Sequence, residues 1–189
     1  MTMPALSSGQ SAAAPTTAPV WKWWASLALG PATASAHAIP GANGGDRLGG
    51  DIAIWVTRDQ YAFAVHNASA SRFSDPGDVS DLSFLAGIHP RTSDHVDFVA
   101  GVGPGISRGH GTAGEVLSTK PVIAAGAQFN LNYRVAGIAI DGFAAAGQSR
   151  WYYGAGVAIA LGWFTSDATT RSSYRSRDQS STSPHPVSR

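Results

Sequence analysis

The stretch 151–164, WYYGAGVAIALGWF, constrains the fold of this chain more than any other. Tyr153, Ala155, Val157, Ile159, Leu161 and Trp163 alternate with Gly154, Gly156, Ala158, Ala160 and Gly162. Successive side chains of a strand point to opposite faces, so this strand has one greasy face and one nearly bare one. The bare face carries no charge to meet water and no bulk to fill a core of its own. It requires a crowded space in which neighbouring elements supply the volume.

Seven further segments repeat the period of two, and helical periodicity is weak throughout. WKWWASLALG sets Trp23, Ala25, Leu27 and Leu29 against Lys22, Ser26, Ala28 and Gly30. GGDIAIWVTR sets Ile52, Ile54 and Val56 against Asp51, Ala53, Trp55 and Thr57. YAFAVHNAS opposes Tyr61, Phe63 and Val65 to Ala62, Ala64 and His66, and SDLSFLAGIHP opposes Leu82, Phe84 and Ile88 to Asp81, Ser83, Leu85 and His89. HVDFVAGVG, VIAAGAQFNLNY and VAGIAIDGF continue the pattern, with His95, Asp97, Gln128, Asn130 and Asp141 on the sparser face. Each segment spans about 9–11 residues, the length a tilted strand needs to cross a bilayer.

The connections alternate as well. Those expected at 58–60, 91–94 and 133–134 are short, while 32–50, 68–80, 104–121 and 145–151 are mostly longer and rich in Gly, Ser and Pro. Up-and-down barrels of outer membranes have this rhythm of short turns and long loops. A soluble eight-stranded barrel would instead carry its large apolar side chains inside and Lys, Glu and Thr outside. Here Gly, Ala and Ser with scattered polar groups oppose the greasy face, which suits a narrow lumen, and charged residues make up only 13% of the chain. The expected fold is an all-β, eight-stranded antiparallel up-and-down transmembrane β-barrel over residues 21–164. Residues 1–20, rich in Ala, Ser, Thr and Pro, and the Ser/Arg-rich 165–189 are expected to be disordered tails.

Composition removes several function classes. A net charge of +1 offers no basic patch for nucleic acid. The absence of cysteine excludes disulfides and cysteine-based metal or redox sites. No run reaches the ~18 apolar residues of a transmembrane helix. MTMPALSSGQSAAAPTTAPV lacks the basic start and apolar run of a secretory signal.

The segments from Trp21 to Phe164 resemble the small eight-stranded outer-membrane barrels of Gram-negative bacteria. GVAIALGWF is similar to the closing strand that the barrel-assembly machinery recognises in that class, with Gly156, Ile159 and Leu161 followed by terminal aromatics. Two departures stand out: no signal peptide is visible, and residues 165–189 follow Phe164 where many members stop at an aromatic. The resemblance implies an outer-membrane location, periplasmic termini, a monomer, contact with membrane lipid and lipopolysaccharide, and the assembly machinery as partner during insertion. With that orientation Trp21, Trp23, Tyr61, Phe129, Tyr133, Trp163 and Phe164 collect near the periplasmic rim as an aromatic girdle.

Polar residues on the lumen face are the candidates for chemistry. Lys22, His89, His95 and Asp97 are expected towards the periplasmic end, and Asp51, His66, Asp81 and Asp141 towards the outside, with Gln128 and Asn130 also inward. Buried charges need partners, so these residues read as a network that stitches the barrel interior. A lipid-modifying enzyme would need a Ser/His pair, and the nearest in sequence is His66 with Ser69. Residues three apart on a strand face opposite ways, which argues against that dyad. GVGPGISRGHG (101–111) lacks the Lys-Ser/Thr ending of a phosphate loop, and its tail, with Ser107, reads as external loop. The expected role is structural or surface-interacting, carried by external loops around a lumen filled by side chains, with no catalytic residue, cofactor or metal. The alternatives are a soluble or periplasmic carrier of small apolar ligands, and a barrel enzyme modifying lipid A or phospholipid.

Overall fold

A computed structural model describes residues 21–35, 38, 44–72, 77–90, 93, 95–110, 116–133 and 135–164, the side chain at 117 excepted. The segments expected to be disordered, 1–20 and 165–189, lie outside the described residues. Eight strands follow one another: β1 (Trp21–Ala34), β2 (Gly45–Arg58), β3 (Tyr61–Ser71), β4 (Asp78–Ile88), β5 (Val96–His110), β6 (Val116–Tyr133), β7 (Ala136–Ala146) and β8 (Trp151–Trp163). Each pairs antiparallel with the next, and β8 returns to β1 through pairs such as Leu27↔Ile159 and Ala28↔Ala158. The barrel is therefore closed, and no strand has an edge to leave backbone groups unpaired in hydrocarbon.

Polarity is inverted relative to a water-soluble barrel. Ile140, Val157 and Ile159 are 66%, 64% and 65% exposed, while Ala158 between the last two is fully buried. Trp24, Trp55, Tyr152 and Phe164 are the largest fully buried side chains, and they occupy the inside. The bare face of β8 is the counterpart of these rings. A Cβ on Gly154 would stand 2.5 Å from Phe143 Cζ, and one on Gly49 would stand 2.8 Å from the same atom. The Phe143 ring thus reaches from β7 into space left by glycines on β8 and β2, where any side chain would overpack the lumen.

Strand ends differ most from the sequence reading. The span 104–121, expected as an external loop, is paired strand on both sides of 111–115. Pro104 and Pro121 lie within the β5–β6 ladder, opposite Ile123 and Ile106. Ser107 faces inward and is fully buried. The connections expected at 32–50, 68–80 and 145–151 likewise shrink to 35–44, 72–77 and 147–150, and 89–95 replaces the shorter 91–94 turn. The cause is physical: beyond the bilayer a strand no longer needs an apolar outer face, so the alternation fades while backbone pairing continues. At the opposite rim β2 and β3 are joined by Asp59–Gln60, where Asp59 adopts φ 54°, a left-handed conformation that Asp tolerates in tight turns.

Candidate functional site: the polar lumen

The barrel interior holds two polar clusters, both made by residues from strands distant in sequence. At the short-turn rim Asp97 on β5 is the centre. Lys22 Nζ donates to Asp97 Oδ1 at 3.0 Å and Oδ2 at 3.3 Å. His89 Nε2 reaches Asp97 Oδ1 at 2.8 Å, and Asn132 Nδ2 donates to Oδ2 at 2.8 Å. His89 Nδ1 lies 2.9 Å from the Asp59 carbonyl, which ties this cluster to the β2–β3 turn. Four strands or turns are joined through one carboxylate.

The second cluster crosses the middle of the lumen. Trp24 Nε1 donates to Gln128 Oε1 at 2.6 Å, and Gln128 Nε2 donates to Asp141 Oδ2 at 3.0 Å. Asp141 lies against the Asp51 carboxyl. Asp51 Oδ2 is 2.9 Å from His66 Nε2, and His66 Nδ1 is 3.1 Å from Ser83 Oγ. Ser83 also contacts Asp81, to which the Tyr152 hydroxyl donates. The register makes this possible, because Gln128↔Asp141 and His66↔Ser83 are direct cross-strand pairs on the inward face. At the long-loop rim Arg150 Nη2 donates to Ser118 Oγ at 2.6 Å, and its Nη1 lies 3.5 Å from Ser107.

Lys22, Asp51, His66, Asp81, His89, Asp97, Gln128 and Asp141 therefore all lie inside and join one of the two clusters. Asn130 lies inside too, fully buried, with its amide atoms lacking a partner among the described residues. His95 does not. It is exposed in the turn before β5, because that strand begins only at Val96 and the turn backbone carries the side chain outward. The aromatic set divides in the same way. Trp21, Trp23, Tyr61, Tyr133 and Trp163 are exposed at strand ends of the short-turn rim, with Arg58 stacked over Trp21 at 5.2 Å. Phe129 is also outward but deeper on β6. Phe164 is not part of the girdle: it is 1% exposed and packs against Trp24 inside, ring centroids 5.4 Å apart. It follows Trp163 by one residue, so the alternation that turns Trp163 outward turns Phe164 in. At the other rim Trp151 and Tyr153 stack at 5.7 Å on the outer face, a pair readable from sequence as i, i+2 aromatics at a strand end.

Asp51, His66 and Ser83 present the side-chain types of a nucleophile, base and orienting acid. Sequence reasoning missed Ser83 because its neighbourhood with His66 is across strands. Ser69, the sequence-adjacent candidate, instead contacts the Gly50 carbonyl. Chemistry on a lipid would require Ser83 Oγ to meet the ester, yet Ser83 has no exposed surface and also contacts the His66 carbonyl at 3.4 Å. The geometry supports strand-to-strand hydrogen bonding and offers no surface where a lipid ester meets the nucleophile. Among the described residues no group of three or more His, Asp or Glu side chains is arranged to hold a metal.

No protein-family model matches the sequence, and no curated protein matches it. Solved structures do. Neisserial surface protein A aligns with a TM-score of 0.61 and 10% identity, over 74% of this chain and 96% of that one. Ail, the attachment invasion locus protein of Yersinia pestis, aligns with a TM-score of 0.53 and 14% identity, over 75% and 98%. Ail bound to the heparin analogue sucrose octasulfate gives 0.52 and 13%, over 76% and 99%. At these identities the likeness is one of fold: the chain has the architecture of the small eight-stranded outer-membrane barrels.

Proposed function

We propose that this protein is a monomeric barrel of the Gram-negative outer membrane with a structural or surface-interaction role exercised at its long-loop rim, and that its side-chain-filled lumen neither conducts nor catalyses. The inverted polarity carries the reading: an outer face of exposed Leu, Ile, Val and Phe surrounds an interior of hydrogen-bonded Asp, His, Gln and Asn. Lipid satisfies that exterior, and water does not. The buried rings of Trp24, Trp55, Phe143 and Tyr152 support a lumen without a continuous water path. The partners in this reading are membrane lipid, including lipopolysaccharide, and the assembly machinery during insertion. Ail has been solved with a sulfated sugar, and the long-loop rim here carries Arg72, Arg108, His110 and Lys120 against Asp46 and Asp78. A surface partner of anionic character fits that balance.

The test is direct. The protein should fold only with detergent or lipid and run unheated on gels as a compact, heat-modifiable band, with negligible conductance in planar bilayers. A monodisperse, folded protein in plain buffer refutes the membrane reading and promotes the soluble carrier. Ester hydrolysis of lipid A or phospholipid that disappears in Ser83→Ala, with unchanged melting, refutes the non-catalytic reading.

A further inference from the structure

We propose that the outer face of β3, β4 and β5 carries a binding site for the phosphate-bearing headgroup of an outer-leaflet glycolipid, with Arg108 as its anion-binding residue. The inference deepens the membrane reading above and rests on it. A groove of about 400 Å³ runs along this face, bounded by Asn67 and Ser80 on one side and Arg108 on the other, over a floor of Leu82, Phe84, Pro104 and Ile106. Asp81 lines it as well, but its carboxyl is turned into the lumen, where Tyr152 holds it.

The site combines two chemistries in the order a lipid presents them. Phe84 and Leu82, 63% and 50% exposed, offer acyl-chain contact at the lower end. Arg108 and Ser80, a direct cross-strand pair, stand at the upper end. Height decides where that end falls. A strand rising about 3.4 Å per residue at a tilt of about 40° climbs about 2.6 Å along the barrel axis, which puts Arg108 about 26 Å above Phe98 on the same strand. The apolar band of such barrels is about 25 Å tall, so the guanidinium sits at headgroup level while the groove floor lies in hydrocarbon.

Arg108 is the charge left over. It is exposed and has no partner among the described residues. Asp78, one pair further out, is engaged by His110 at 2.8 Å. Arg150 and Lys22 face the lumen, and Arg58 stacks on Trp21 at the other rim. A planar guanidinium beside a serine hydroxyl, both facing a lipid surface, matches a phosphate better than a neutral or zwitterionic headgroup, because charge-assisted hydrogen bonds to phosphate oxygens are strong and directional. A phosphate monoester on a glycolipid presents more negative charge than a glycerophospholipid diester, and the long-loop rim is the one that the proposed orientation turns outward.

The experiment uses the full chain folded in maltoside micelles. Diphosphorylated lipid A, its dephosphorylated form, phosphatidylglycerol and inorganic phosphate are each titrated while tryptophan fluorescence is followed. The expected result is at least ten-fold tighter binding of diphosphorylated lipid A than of the other three. Arg108→Gln should remove that preference and Arg58→Gln should keep it. Equal binding of dephosphorylated lipid A, or an unchanged preference in Arg108→Gln, overturns the site. Equal binding of phosphatidylglycerol overturns the glycolipid assignment, and equal binding of inorganic phosphate reduces it to a simple anion site. Failure of the underlying membrane reading looks different: the chain would then be folded in buffer before any micelle is added.

Discussion

Removing the Asp97 carboxylate tests whether the lumen network holds the barrel together. Asp97 accepts from Lys22 at 3.0 Å, His89 at 2.8 Å and Asn132 at 2.8 Å, and is itself 1% exposed. Asp97→Ala leaves three donors facing a void. Breaking a buried ion pair by deleting one partner typically costs about 3–5 kcal/mol. The Lys22 side chain keeps 16% of its surface exposed, so its ammonium can turn towards water, whereas His89 at 5% cannot. That partial escape puts the expected cost near the low end, about 3 kcal/mol, or roughly two decades in the folding constant. Urea titration of the protein in lipid vesicles, monitored by tryptophan fluorescence and by band position on unheated gels, measures it. Lys22→Met completes a double-mutant cycle, and the pair should couple by about 1–2 kcal/mol. A loss below about 1 kcal/mol for Asp97→Ala, or additivity within about 0.5 kcal/mol, refutes the argument that this carboxylate ties the strands together.

Three further outcomes follow from the same coordinates. Val157→Arg, placed in the middle of β8 on the lipid face, should cost about 2–4 kcal/mol in the same titration; if it folds as the parent does, the outer face is not in hydrocarbon. Ser107→Arg should be destabilising by about 2 kcal/mol or more, because the new guanidinium would be forced into the buried site beside Arg150. Val116→Arg, at an exposed site on the adjoining strand, should stay within about 0.5 kcal/mol, and equal effects of the two would return this region to loop. Gly154→Ala should cost about 1–3 kcal/mol by overpacking Phe143, and Phe143→Leu in the same chain should recover part of it; an additive pair would show that the two side chains do not meet.

Much of the barrel is legible in the sequence because a strand's period of two is a local property. Each residue's parity assigns its face, which is why Lys22, Asp51, Asp97 and Asp141 can be placed inwards and Val157 and Ile159 outwards without knowing their neighbours. Parity fails where the strand itself is misjudged. The prolines and glycines of 104–121 read as loop, but backbone pairing with β4 and β6 continues through them and sends Ser107 into the interior. His95 was given a strand position one residue before β5 begins, and Phe164 was read as a terminal aromatic although its parity points it at Trp24.

Partnership is a different kind of information from face. His66 and Ser83 meet because the β3–β4 register sets them opposite each other, and Lys22 finds Asp97 across a lumen that exists only once β8 has closed on β1. Nothing in the local pattern states how far one strand slides against the next, since a slip of two residues preserves every face and changes every partner. Strand number, face polarity and the inside-out character of this protein are thus properties of its sequence. The join of Asp51, His66 and Ser83, the isolation of Arg108 on the outer groove and the inward turn of Phe164 belong to the closed barrel, because closure and the packing of rings against glycines select one register among those the alternation allows.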